Sequence, residues 1–231
     1  WSVLDGTLYK GQKLIDILNM KAGDQKFIGE KNYNSDVRIF DRRYVNVNTF
    51  PIKDVMQLPI LQESKKQRAV YNYNGLATNL IMNYTIFKTG DDWEKLLNKI
   101  FNKHIRVKDS VWFHQTVTMH NSSIHPRETG RYSFYANRYD YLRIAKGILD
   151  DWNNDTCIGK YLKTIYEQRI NKNKKSYDGD RYGQFSVSQY TKKYGGQFHF
   201  DVIGLKKRKI LAMDGFGGQQ VIVDFDTGRI I

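Results

Sequence analysis

The chain has 231 residues, of which 40% are hydrophobic and 14% aromatic, so it can bury a sizeable core and lacks the composition of a disordered protein. Its formal net charge is +13, which makes nucleic acid, anionic lipid and anionic substrates the partners to consider. The single cysteine, Cys157, excludes an internal disulfide framework and a cysteine-based zinc site, and no apolar run approaches the length of a membrane-spanning helix.

The basic residues occur in short clusters rather than in one continuous patch. None of the clusters lies in a recognisable nucleic-acid-binding motif, and a lysine-rich composition raises the isoelectric point without any partner. We therefore do not expect nucleic acid to be the partner. The clusters are Lys65-Lys66-Gln67-Arg68, Lys172 to Lys175, Lys192-Lys193 and Lys206-Lys207-Arg208-Lys209.

Two amphipathic helices are predicted in the first part of the chain. The first runs from Gly11 to Met20, with its apolar residues Leu14, Ile17 and Leu18 on one face. Residues 24–60 are polar and mixed, and we predict loop with short strands there. The second helix runs from Gly75 to about Phe87, and Gly90 ends it.

Three further helices and a set of terminal strands are predicted after Gly90. The helices begin near Trp93 (capped by Asp91 or Asp92), at Arg138 and at Cys157, while residues 110–136 and 171–196 are predicted as irregular stretches, the latter a surface loop. Phe198 to Ile203 begins the strands. We predict an α+β fold in a single domain spanning 1–231, mainly helical over 1–170 and built of antiparallel strands over 195–231.

The C-terminal run has the pattern of a glycine-rich elbow between strands. Ile210 to Met213 is a short apolar run, and Val221, Val223 and Phe225 alternate on one side of a pleat. Glycines at 215, 217 and 218 remove side chains at the elbow, as happens where a ligand approaches the backbone. Asp226-Thr227-Gly228 predicts a tight turn. A glycine-rich hairpin without chemistry is the alternative.

Other candidate sites in the sequence are weak. The five histidines do not pair at the spacing of a zinc protease motif, so we interpret them as structural and expect neither a metal nor a cofactor. The carboxylate pairs Asp91-Asp92 and Asp150-Asp151 fall where helix ends are predicted, which favours caps or solvated ends over an acid/base dyad.

Tyr73, just before the second predicted helix, is the more interesting candidate. A tyrosine held near helix-terminal N–H groups can have its phenolate stabilised and take part in proton transfer. Four stretches in this order resemble the serine β-lactamase-like hydrolases, and most closely the branch of class C-type esterases and 6-aminohexanoate-oligomer hydrolases. The stretches are Gln12–Gly23, Val70–Ile81, Thr129–Ile144 and Gly215–Gln220.

The resemblance implies acyl transfer through a serine ester, on a small-molecule or peptide-like amide or ester. In such enzymes a Ser-x-x-Lys helix supplies nucleophile and base, a Tyr-x-Asn motif relays protons, and a Lys-Thr-Gly-like strand lines the cleft. Tyr73 matches the motif tyrosine, and the N–H of Gln219 would be the oxyanion donor across a shared crevice. The implied substrate-binding residues are Asn74 and Gly75 of the tyrosine motif and the strand triplet Phe216-Gly217-Gly218.

Three departures from the family pattern stand beside this resemblance. No serine in the chain has a lysine three residues later, so by family order the nucleophile should lie upstream of Trp1. Gly75 stands where asparagine is usual, although Asn74 could substitute. Phe216 replaces the usual cation or imidazole, which argues against standard binding of a β-lactam carboxylate. The literal Lys88-Thr89-Gly90 falls at a predicted helix end rather than on a strand.

Two rival interpretations remain at this point. The first is a non-catalytic binding module of the same fold that holds an anionic polymer on its basic surface. The second is an unrelated α+β domain whose motif order is fortuitous. The sequence leaves the substrate, the compartment and the oligomeric state open.

Overall fold

The computed structural model describes residues 1–21, 38–40, 43–45, 52–57, 70, 71, 73, 75–109, 111–115, 132–174, 186–205, 207–215 and 218–231. These residues fall into two compact units. The first unit comprises Trp1–Leu96 and Trp112–Tyr135, and the second comprises Leu97–Val111 and Ala136–Ile231.

Short helices and two small antiparallel strand pairs make up the first unit. Its longest element, α3, confirms the helix predicted from Gly75 and ends where Gly90 takes a φ of +52°, a backbone conformation that favours glycine. A 3-10 turn, Gly90–Asp92, leads into the next helix. The elements are α1 (Leu14–Leu18), β1 (Arg38–Phe40), β2 (Arg43–Val45), α2 (Ile52–Met56), α3 (Gly75–Thr89), α4 (Trp93–Leu97), β3 (Trp112–Gln115) and β4 (Tyr132–Tyr135).

Helix α3 packs against α1 through a buried apolar face. Ile17 of α1 is buried, as are Leu76 and Leu80 of α3. Leu14, which was predicted on the same face as Ile17, is instead 46% exposed. The reason is that α1 has only five residues and Leu14 borders a half-open cavity rather than the core.

The second unit contains three helical segments and a sheet. A π-helix, Asn98–Ile105, continues α4, and is followed by α5 (Arg138–Asn153) and α6 (Cys157–Glu167). In the described part of the chain six strands form one antiparallel sheet, in which each strand pairs with its neighbour in sequence. The strands are β5 (Ile170–Asn171), β6 (Thr191–Gly195), β7 (Phe198–Val202), β8 (Ile210–Asp214), β9 (Gln220–Asp224) and β10 (Arg229–Ile230).

Aromatic side chains join α5 and α6 to the sheet. The ring of Trp152 on α5 stacks on Phe225 at the end of β9, with 4.0 Å between ring centroids. Tyr166 on α6 meets Trp152 and Phe200 edge-on, at 5.8 and 5.6 Å. Such ring pairs stabilise a core beyond the area they bury. Helices on a C-terminal antiparallel sheet confirm the α+β class.

The prediction of a surface loop over 171–196 is wrong at both ends of this range, where the structure has strands. Asn171 lies in β5, Thr191–Gly195 is β6, and Lys172 is only 5% exposed. The hairpin between β6 and β7 turns at Gly196 and Gln197, whose φ angles are +57° and +74°. Positive φ at both central residues is the geometry of a two-residue hairpin, so the sheet begins earlier than predicted.

Two other predicted stretches are corrected or confirmed in part. Residues 110–136 were predicted as irregular, but β3 and β4 pair within them. The prediction of short strands in 24–60 is confirmed by β1 and β2. The turn predicted at Asp226-Thr227-Gly228 is confirmed, with a φ of +69° at Gly228.

No helix of the described residues is both long enough and apolar enough to cross a bilayer.

Because α5 and α6 pack closely at Gly159, replacing this glycine by alanine should destabilise the protein, although alanine normally stabilises a helix. A Cβ added at Gly159 would lie 1.8 Å from the carbonyl oxygen of Asp151. Helix propensity alone favours alanine by about 1 kcal/mol, yet overpacking here should lower the free energy of unfolding by about 2 kcal/mol. Denaturant unfolding of Gly159→Ala measures this, with the exposed neighbour Lys160→Ala as control. A stabilised Gly159→Ala variant would contradict the close packing.

Candidate functional site

The hairpin between β8 and β9 presents the backbone that the sequence singled out. Its closure is tight, because Gly215 N–H donates to the Gln219 carbonyl at 2.8 Å and Gly218 N–H donates to the Gly215 carbonyl at 3.1 Å. Gly218 has a φ of +86°, which an L side chain would strain. Gly215, Gly218 and Gln219 are all exposed. Phe216 and Gly217, two of the predicted substrate-binding residues, lie outside the described residues.

The amide of Gln219 is available at this hairpin. Within the described part of the chain its N–H donates no hydrogen bond, although its carbonyl accepts one from Gly215. A backbone N–H that is exposed and unused by the sheet can donate to a ligand oxygen. This is the group that the family resemblance assigns as the oxyanion donor.

The two strand ends next to the β8–β9 turn, which we call the hairpin base, are hydrogen-bonded to residues in and just before a 3-10 turn, Val187–Tyr190. The Asp214 carboxylate at the end of β8 accepts hydrogen bonds from the Ser186 hydroxyl and, at 3.3 Å, from the Ser188 N–H. Gln220 at the start of β9 accepts from the Val187 N–H at 3.2 Å through its side-chain oxygen. Both strands of the hairpin are therefore held at their bases by side-chain contacts, while its tip faces solvent.

A buried lysine completes the same cluster. Lys172 Nζ donates to the Ser188 carbonyl and lies 3.4 Å from the Thr191 hydroxyl. Burial lowers the pKa of Lys172 to about 8, and the Asp214 carboxylate opposes this shift. The ammonium thus links the residue after β5 to the turn that holds the hairpin.

His199 on β7 is the second buried base in this cluster. It is 7% exposed, its ring meets Tyr194 edge-on at 5.0 Å, and its Nδ1 has no hydrogen-bond partner among the described residues. Burial, with the nearby Lys172 charge, lowers the pKa of His199 to about 3 despite the Asp214 carboxylate. The imidazole is therefore neutral near neutral pH.

Tyr73 belongs to the first unit. It precedes α3, which begins at Gly75, and its side chain is 61% exposed. The neighbouring Tyr71 is 3% exposed, and burial, followed by the influence of Tyr73, raises the pKa of Tyr71. Asn74 lies outside the described residues. Because Gln219 belongs to the second unit, the crevice shared by Tyr73 and Gln219 stays a prediction.

A half-open cavity of about 360 Å³ lies elsewhere in the first unit. Its walls combine aromatic rings, aliphatic side chains of α1 and α3, and a few polar groups. Tyr73 is not among the residues that line it. The lining residues are Trp1, Leu4, Tyr9, Lys10, Gly11, Gln12, Leu14, Ile17, Leu80, Ile81 and Tyr84.

Asp151 is not the cap or solvated helix end that the sequence predicts. Helix α5 continues to Asn153, so Asp151 is inside it and is 3% exposed. Its carboxylate accepts from the Thr156 hydroxyl at 2.6 Å and contacts His104 Nε2 at 3.0 Å. Through these two contacts Asp151 joins α5 to the π-helix and to the start of α6. The preceding residue, Asp150, forms an exposed ion pair with Lys146.

Among the described residues no group of three or more histidine, cysteine or carboxylate side chains could hold a metal ion. No protein-family model matches the chain, and no curated protein matches it either.

The polar cluster of Lys172, Asp214 and His199 is not among the sites that the sequence predicts. A signal for its position was present in Gly195-Gly196-Gln197, which stands between two runs rich in strand-forming residues and predicts a hairpin with a strand on each side. Nothing in the sequence indicates that Lys172 is buried, because lysine in a polar stretch is normally solvated.

The low pKa of His199 predicts a loss of stability in acid. Unfolded histidine titrates near 6.5 and folded His199 at about 3, so between these values the unfolded state binds more protons and stability falls as the pH falls. The free energy of unfolding should drop by about 3 kcal/mol between neutral pH and about pH 4 through this group. Denaturant unfolding over this range should show a weaker pH dependence in His199→Gln.

The matched control for the acid experiment is Tyr194→Phe. It alters the ring in contact with His199 but keeps the histidine, so the steep acid dependence should persist. An equally steep dependence in His199→Gln would show that other groups cause the acid loss.

Proposed function

We propose that the protein is a serine hydrolase of β-lactamase-like fold that cleaves an amide or ester through an acyl-enzyme. The observation that carries this proposal is the exposed Gln219 amide, held in a glycine-containing hairpin whose two strands are fixed next to the turn by half-buried polar contacts. The order of the sequence stretches that resemble this family supports the same conclusion.

The proposed chemistry begins with attack of a serine hydroxyl on the substrate carbonyl carbon. The C=O π electrons move to oxygen, and the Gln219 N–H stabilises the resulting oxyanion. Collapse breaks the bond to the amine or alcohol, which leaves with a proton relayed through the Tyr73 hydroxyl. Water then hydrolyses the ester and regenerates serine. The serine and its lysine base belong to a Ser-x-x-Lys motif that we place upstream of Trp1.

Rigidity at the hairpin base supports an oxyanion role. A donor stabilises developing charge best when it needs no reorganisation during the reaction. Asp214 and Gln220 are tied to the same 3-10 turn, so both strands that carry the Gln219 turn are restrained. A Cβ at Gly218 would have no atom within 4 Å, which leaves room there for a substrate to approach the backbone, whereas the Gln219 side chain lies against Gly215.

The remaining residues of the proposed site concern substrate choice. Asn74 and Gly75 follow the relay tyrosine in sequence, and Phe216, Gly217 and Gly218 precede Gln219. Phenylalanine in place of a cation removes the usual partner for a substrate carboxylate. We therefore propose an uncharged or peptide-like amide or ester as substrate.

A non-catalytic binding module is the second candidate. The observations in its favour are the net charge of +13 and the absence of a Ser-x-x-Lys sequence within these 231 residues. Its partner would be an anionic polymer, bound with an affinity that falls steeply as salt is raised.

Covalent labelling separates the two candidates. The protein expressed from its own gene is incubated with a fluorophosphonate probe and digested for mass spectrometry. We expect one labelled serine, followed three residues later by lysine. The absence of any serine adduct would refute the hydrolase proposal and leave the binding module.

The oxyanion role predicts different effects of two substitutions at one position. Gln219→Pro removes the N–H, whereas Gln219→Ala removes the same side chain and keeps the N–H. Acylation by a p-nitrophenyl ester should slow by about a hundredfold or more in Gln219→Pro and by no more than a few-fold in Gln219→Ala. Circular dichroism checks that both variants fold. Equal rates in the two variants would remove the amide from the mechanism.

The relay role is tested in the same assay. Tyr73→Phe should slow acylation by about a hundredfold or more, while Tyr139→Phe, a similarly exposed tyrosine, should retain the full rate. Tyr73→Phe with wild-type kinetics would exclude the phenol from proton transfer.

A further inference from the structure

Three exposed apolar side chains cluster beside a basic run in the second unit. Tyr190, Ile203 and Leu205, which we call the apolar tip, are 36%, 42% and 42% exposed. They are followed directly in sequence by the cluster Lys206-Lys207-Arg208-Lys209. We propose that this loop between β7 and β8 docks on the surface of an anionic lipid bilayer.

Backbone contacts bring the apolar tip together at one end of the sheet. The register of β6 and β7 pairs Thr191 with Val202, so Tyr190 and Ile203 are the next facing residues, and the Ile203 N–H donates to the Tyr190 carbonyl at 2.7 Å. Facing residues on antiparallel strands have neighbouring side chains. Leu205 follows in a tight turn, where its N–H donates to the Val202 carbonyl at 3.0 Å.

The cations next to the tip differ in how far they are neutralised. Arg208 pairs with Asp224. Lys209 Nζ is 3.9 Å from Asp226 and its side chain is 52% exposed. Lys207 is exposed and forms no ion pair with any described residue. Lys207 and Lys209 can therefore face an anionic surface.

This combination fits a bilayer better than a nucleic acid. A nucleic acid binds through cations and hydrogen-bond donors at its phosphates and through aromatic rings that stack on its bases, so it would use Tyr190 but not the aliphatic Ile203 or Leu205. At an anionic bilayer, aliphatic side chains enter the boundary between head groups and acyl chains while lysines remain at the phosphates. Stable but reversible attachment needs both signals together, and the loop supplies both.

Vesicle sedimentation tests the docking. The full chain is mixed with vesicles of phosphatidylcholine alone or with about one third phosphatidylglycerol. We expect binding only to the anionic vesicles, weakened by salt. Ile203→Ser combined with Leu205→Ser should weaken it about tenfold, and Lys207→Glu about fivefold or more.

Matched controls separate local docking from general charge. Leu142→Ser alters a similarly exposed leucine on α5, and Lys160→Glu makes the same charge change on α6. Both should bind anionic vesicles within about twofold of wild type. If Lys160→Glu weakens binding as much as Lys207→Glu, or the serine variant binds like wild type, attraction is merely diffuse and the proposal is wrong.

A fluorescent label locates the contact directly. Leu205→Cys is labelled with an environment-sensitive NBD group after Cys157→Ser removes the exposed native thiol. NBD emission should shift to the blue and brighten with anionic vesicles, and a label at Leu142→Cys should not respond. No response at position 205, or tight binding to heparin unaffected by the serine substitutions, would overturn lipid docking in favour of a polyanion.

Discussion

The contact between the Asp214 carboxylate and residues 186–188 is the interaction on which the second unit's candidate site depends. This half-buried carboxylate accepts hydrogen bonds from the Ser186 hydroxyl and the Ser188 N–H, which replace part of the water that burial removes. Lys172 reinforces the turn from the other side through Ser188. Removing Asp214 would leave the buried Lys172 ammonium without the carboxylate that offsets its charge, a more severe defect than the loss of one hydrogen bond.

The groups that hold the β8–β9 hairpin in place are not the groups that it exposes to solvent. The side chains that hold the β8–β9 hairpin, Asp214 and Gln220, are half-buried, whereas the groups that could meet a ligand are backbone atoms at its tip. His199 is neutral near neutral pH, whereas Lys172, with a pKa of about 8, stays mainly protonated there and is opposed by the Asp214 carboxylate.

The sequence predicts regular, amphipathic elements well and buried polar groups poorly. Helix α3, the start of α5 and the terminal strands follow from periodicity and from glycine at Gly90 and Gly228, because these signals are local. The 171–196 loop was mistaken, since Lys172 reaches its partners only through tertiary packing. The assignment of Tyr73 rests on family order, which local patterns cannot test.

The order of the sheet has a consequence for synthesis on the ribosome. Each strand from β5 to β10 joins the strand made just before it, so assembly proceeds by short-range hairpins with little loop-closure entropy. Helix α5 completes its packing only later, because Trp152 stacks on Phe225, which follows β9 and is synthesised after most of the sheet. Until then the indole lacks that neighbour, and nascent chains halted before residue 225 would be the species most exposed to chaperones and proteases.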